Sequence, residues 1–156
     1  MMATIRRVAL FLSIAFSFGG FSFYAGIVVP IGSDVFDATS QGFVTQRATD
    51  ILNLASGVSG LLLFWEAIAG WKHRTRRQNI LYWSALSIYA IALIALIGLH
   101  PQMDQLLEPS HFLVKEPLRF YNLHRIYLWA STFQWLATIV LIVSICRTHS
   151  GAGSQS

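Results

Sequence analysis

Apolar residues in this chain come in four long, continuous runs rather than in alternation. They extend from about Val8 to Ile31, Ile51 to Trp71, Ile80 to Leu99 and Ile126 to Cys146. Each run is near the 20 or so residues that a helix needs to cross a bilayer. A water-free surround forces each segment to satisfy its own backbone hydrogen bonds, so the runs predict helices. Barrel strands would be shorter and would alternate. The expected fold is therefore all-α, a four-helix transmembrane bundle forming one domain over residues 1–149, with a Gly/Ser-rich disordered tail at 150–156. There is no internal repeat.

Composition agrees with the pattern. Of 156 residues, 54% are hydrophobic and 12% charged, and the mean hydropathy is +0.55. Soluble domains carry about 25% charged residues. An ordinary soluble globule and a disordered chain are both excluded. Arg6 and Arg7 before an apolar stretch resemble a signal peptide or a twin-arginine signal. The apolar run is too long for a signal core, however, and no small-residue cleavage site precedes polar sequence. A retained first helix is expected.

The charges are sorted along the chain. Arg6, Arg7, Lys72, Arg74, Arg76, Arg77 and Arg147 fall on one side of the predicted membrane, with no acidic residue beside them. Arg47, Lys115, Arg119 and Arg125 fall on the other, with Asp34, Asp37, Asp50, Asp104, Glu108 and Glu116. Basic residues stay on the cytoplasmic side, so both termini and the short 72–79 link are expected there. The isoelectric point near 9.6 is then a topology signal and not a nucleic-acid footprint. The expected setting is a cell membrane, and a bacterial inner membrane fits the short loops. The expected partners are the lipid bilayer and a second copy or other membrane proteins, with no nucleic acid. Trp65, Trp71, Tyr82 and Trp83 would mark the inner interface, and Tyr121, Tyr127 and Trp129 the outer one.

The link between helices two and three predicts an antiparallel hairpin. Of the outer segments, 32–50 is small and polar and extends helix two in part, with Thr45 or Thr49 as N-cap. The other, 101–123, contains Pro101, Pro109 and Pro117, which preclude one long helix. Its apolar residues predict that it lies on the membrane or the bundle. The lone Cys146 permits no internal disulfide and excludes paired-thiol redox chemistry.

A few polar residues inside the spans need a reason. Glu66 is the only carboxylate within a predicted span, and intramembrane acids face a bundle interior or a cavity. The main expectation is a structural pair with Arg6, Lys72 or Asn79. The alternative is a proton or cation site. Gln134, with Ser131, Thr132 and Thr138, and likewise Tyr24 and Tyr89, are expected to tie helices together by hydrogen bonds. Gln134 and Tyr89 join Glu66 as intramembrane polar candidates. Ala15/Gly19, Ser22/Gly26 and Ser56/Gly60 are small residues one turn apart that predict close helix contacts. At the outer side, His100 and His124 would share one membrane level, with Asp104, Glu108 and His111 between them. His100, His124, Asp104 and His111 are a candidate divalent-metal or haem set, although their spacing follows no compact motif. Interfacial hydrogen bonding is the plainer expectation, with no cofactor.

The first helix runs into Gly26-Ile27-Val28-Val29-Pro30, followed by Gln-Gly-Phe-Val-Thr-Gln at 41–46. The last helix is entered through Phe120-Tyr121-Asn122-Leu123-His124-Arg125. Over residues 8–146 this resembles the transmembrane-protein-205-like family of four-helix membrane proteins (domain of unknown function 4149). The shared features are Pro30 and Leu123-His124. Where that family often has an Asn in the last helix, this chain has Ser131 and Gln134. The resemblance implies the fold and carries no activity. There is no phosphate loop, zinc-binding His-Glu-x-x-His or nucleophile elbow. A non-enzymatic structural or accessory membrane component is therefore expected. The alternatives are a small proton- or cation-coupled transporter using Glu66, and a metal- or haem-binding oxidoreductase using the outer histidines.

Overall fold

The computed structural model describes residues 2–36, 38–108 and 113–150, with side chains apart from those at 2–3, 38–39, 73 and 148–150. Four rods account for nearly all of it. The first comprises α1 (Met2–Phe23), a π-helical turn (Tyr24–Val28) and α2 (Val29–Val35). The others are α3 (Ala38–Gly70), α4 (Arg76–Asp104) and α5 (Pro117–Ser150), with a 3-10 turn at Trp71–His73. All four rods are long and apolar enough to cross a membrane. The protein is an all-α four-helix bundle of membrane type. A two-residue antiparallel ladder pairs β1 (Leu107–Glu108) with β2 (Leu113–Val114) before α5.

The rods are longer than the apolar runs, and the excess corrects several expectations. Helix two does not start at Thr45 or Thr49. Both lie inside α3, where their hydroxyls donate back to the carbonyls of Gln41 and Thr45 at 2.9 and 2.8 Å. Pro101 does not end helix three, because α4 continues through it to Asp104. Pro30 does not end the first rod either. Proline has no N–H for the Gly26 carbonyl. Just before it the ladder widens, with the Val29 N–H reaching the Tyr24 carbonyl. The π turn lets the helix pass proline without a break. Pro117 does not interrupt helix but opens α5, nine residues before the expected start of the fourth helix at Ile126. Of the expected tail at 150–156, Ser150 is helical and ends α5, and 151–156 lie outside the described residues.

Polarity is inverted relative to a soluble protein. Ile88, Ile91, Ile94 and Ile97 of α4 all lie exposed on its outer surface, while Ser17, Ser59, Ser131, Thr138 and Ser144 are buried. Lipid tails solvate the outer face as well as a core would, so packing and hydrogen bonds must hold the helices together. The closest pairs are α4–α5 and α1–α3, joined through α3–α4.

Two tyrosines set the α3–α4 register. Tyr82 and Tyr89 lie two turns apart on one face of α4. Their hydroxyls donate to the α3 carbonyls of Leu63 (2.9 Å) and Ser56 (2.7 Å), which are likewise two turns apart. Gly60 makes the approach possible, since a methyl there would lie 3.2 Å from the Tyr89 ring. Ser17 and Ser59 pair across α1–α3 at 2.9 Å. Of the other expected small-residue contacts, Gly19 and Gly26 face open space. Their lack of a side chain serves no helix contact. Tyr82 and Tyr127 are buried structural residues rather than interface markers, whereas Trp65, Trp71, Tyr121 and Trp129 are exposed.

Candidate functional site

The two ends of the bundle carry different chemistry. At the end that holds the termini and the α3–α4 link, Glu66 is 3% exposed and sits between two guanidinium groups. Arg6 Nη2 approaches Glu66 Oε2 at 3.1 Å, and Arg74 Nη2 approaches Oε1 at 3.5 Å. Arg6 was among the expected partners. Lys72 is exposed. Asn79 instead donates to the Trp71 and Arg74 carbonyls at 3.1 and 3.5 Å.

Arg74 is the residue that sequence reasoning missed, because it reads as one of four flanking charges. Its side chain is fully buried. It donates to the Glu66 and Ala67 carbonyls at 3.4 Å and lies 4.1 Å over the Tyr82 ring. It therefore caps the C-terminus of α3, where a cation meets the negative end of the helix dipole. Gly70 makes room, since a methyl there would lie 2.7 Å from the guanidinium. Thr75 and Gln78 form a reciprocal capping box at the start of α4. Carboxylate, guanidiniums, ring and caps together form a closed structural lock.

At the opposite end the rods separate. α1 and α5 meet where Phe18 stacks on Trp135 (5.2 Å, 17°) and the Trp135 indole donates to Ser22 at 2.9 Å. Beyond that crossing the first rod enters its π turn, and a cavity of about 420 Å³ opens between it and α5. Phe21, Tyr24, Ala25 and Val29 form one wall, and Phe120, His124, Tyr127, Leu128 and Ser131 the other. The floor is α3 from Gln41 to Thr49, and the outer rim is His100, Met103, Asp104 and Leu107. The surface is mostly apolar. A narrow slot of about 30 Å³ continues inward, sharing Phe21, Thr49, Tyr127 and Ser131 and ending among Tyr89, Gln134 and Thr138. It is large enough for about two water molecules.

The expected site residues divide accordingly. His100 and His124 do line one cavity, as does Asp104. Nε2 of His100 is already engaged, by Asp50 Oδ1 at 2.6 Å and more distantly by Asp104 Oδ2 at 3.7 Å. That dyad ties α3 to α4 at the rim. His124 stacks in parallel on Phe120 at 6.1 Å. Among the described residues, no three His, Cys, Asp or Glu side chains are grouped to hold a metal ion. His111 lies outside the described residues. Gln134 and Tyr89 line the inner slot, far along the chain from Glu66 and not part of its lock. Tyr24 donates to Thr45 at 2.9 Å, bracing the wall against the floor.

Two side-chain amides along this path have an unpaired donor. Nε2 of Gln41, at the floor, and Nε2 of Gln134, in the slot, are buried without a hydrogen-bond partner. Gln41 carried no expectation from sequence. Its position depends on Gly32 of α2, because a methyl there would overlap the amide. Comparison of the chain with protein-family models, with curated proteins and with solved structures finds no match.

Proposed function

We propose that this protein is a non-enzymatic binding component of a cell membrane, holding a small, largely apolar molecule drawn from the bilayer. The observation that carries this reading is the cavity of about 420 Å³ between the first rod and α5. Its size, its apolar walls and its few polar groups fit the general character of ligand sites. The Glu66 end supports the same reading by contrast. A carboxylate held by two guanidiniums is suited to fixing helices. The basic residues at the termini and link support an orientation with both termini in the cytoplasm, which puts the cavity at the outer half of the bilayer. The resemblance carried by Pro30 and Leu123-His124 fits this fold and adds no activity.

The test uses decylbenzene, an apolar probe of membrane-solute size, with the purified full-length protein in detergent. Saturable binding near one probe per chain is expected, and Ala25→Trp, which fills the cavity from an exposed wall position, should abolish it. Unsaturable partitioning that is equal in both proteins would overturn the reading.

A further inference from the structure

The hydroxyl groups that border the cavity belong to Tyr24, Thr45, Thr49, Tyr127 and Ser131, and each has its proton committed inside the protein. Tyr24 donates to the Thr45 hydroxyl, which donates to the Gln41 carbonyl, both at 2.9 Å. Thr49 donates to the carbonyls of Thr45 and Gln46 at 2.8 and 2.9 Å. Tyr127 donates to Asn53 Oδ1 at 3.3 Å, and Ser131 to the Tyr127 carbonyl at 2.9 Å. A hydroxyl carries one proton and two lone pairs. With the proton spent, what it still offers is an acceptor.

Three of these groups are gathered in one place. Thr49, Tyr127 and Ser131 border both the cavity and the narrow slot that continues from it, so their oxygens surround the slot mouth. The unpaired amide nitrogens do not supply a donor there. Nε2 of Gln41 and of Gln134 are both buried, and the Gln41 amide packs against Gly32. A molecule that brings its own proton can donate to the oxygens at the mouth, whereas an ether or a hydrocarbon cannot. Among the described residues no charged side chain lines the slot. An ammonium would lose its hydration there without a counter-charge, which is costly, and a hydroxyl would not.

We propose that the cavity selects apolar molecules that end in a hydroxyl group, as long-chain alcohols do, with the apolar body in the cavity and the hydroxyl donating to the oxygens of Thr49, Tyr127 and Ser131. The proposal rests on the cavity being a ligand site at all, and its test separates the two claims. 1-Decanol and nonyl methyl ether are isomers with a single oxygen. Both accept a hydrogen bond, and only the alcohol donates one. Equilibrium binding to the purified full-length protein in detergent, with each probe referred to its own partitioning into empty micelles, should favour the alcohol by about fivefold, the net worth of one hydrogen bond. Thr49→Val/Ser131→Ala removes two oxygens whose protons only return to carbonyls of their own helices, and should bring alcohol and ether to within about twofold. Tyr127→Phe removes the third oxygen and should also lower the ratio, which keeps the test open if the double variant folds poorly.

Equal affinity of the wild-type protein for alcohol and ether would overturn the proposal while leaving the cavity as a binding site. The same holds for a preference that survives in both variants, and for saturable binding of decylbenzene with neither isomer. Failure of decylbenzene and both isomers to bind saturably would remove both claims. The wild-type comparison depends on no variant's folding.

Discussion

The two ends of this bundle solve opposite problems with the same four rods. At the termini end, Arg6, Arg74 and Glu66 close on one another and Arg74 covers the last turn of α3. At the other end, Pro30 and the π turn carry the first rod past α5, and space opens where a lock would otherwise form. An ion pair there that links separate elements joins His100 to Asp50, which is 49% exposed and so worth less than about 1 kcal/mol. Stability is thus concentrated at one end and accessible volume at the other. A membrane protein has no hydrophobic drive between helices, so a cavity at one end requires strong polar contacts elsewhere.

Substitutions can break that contrast, and the largest effect is expected at the lock. Arg74→Met removes a fully buried cation together with its contacts to Glu66, the α3 carbonyls and the Tyr82 ring. Removing one partner of a buried pair costs about 3–5 kcal/mol. Reversible unfolding in mixed micelles should show a loss in that range, and a loss below about 1 kcal/mol would mean that the lock is ornamental. Next is the α3–α4 seam. Gly60→Leu drives a side chain into Tyr89 and should cost about 1–3 kcal/mol by overpacking, whereas Gly26→Leu faces open space and should change stability by less than about 0.5 kcal/mol. The same assay measures both, and equal effects would contradict the assigned packing. Tyr89→Phe deletes one hydrogen bond to the Ser56 carbonyl and should cost about 0.6 kcal/mol. The smallest stability effect belongs to the cavity. Ala25→Trp should leave unfolding within about 0.5 kcal/mol of wild type while removing probe binding.

Much of the fold was legible in the sequence, because a 20-residue apolar run has few structural options in lipid. The Glu66 lock was half legible. An acid within an apolar run must find a cation, and Arg6 was a named candidate. Arg74 was hidden because a flanking arginine normally remains at the interface, and only Gly70 in the preceding turn hints that a guanidinium folds back. Helix ends were misread where hydropathy stops but hydrogen bonding does not, at Thr45, Thr49 and Pro101. Tyr82 and Tyr127 looked like interface residues, and their burial follows from which helix face meets a neighbour. The cavity was not legible at all. It arises from the divergence of two rods that are remote in sequence, and Gln41 matters only because Gly32 and the cavity flank it.

The central claim is that one end of the bundle admits membrane solutes and the other does not. Photolabelling with a diazirine-bearing decylbenzene, followed by mass-spectrometric mapping of the adducts, tests it most directly. Labels should concentrate on Tyr24, Thr45 and Leu128 of the cavity and disappear from them in Ala25→Trp. Labels spread evenly over the exposed outer face at Ile88, Ile91 and Ile94, with no enrichment in the cavity, would contradict the account.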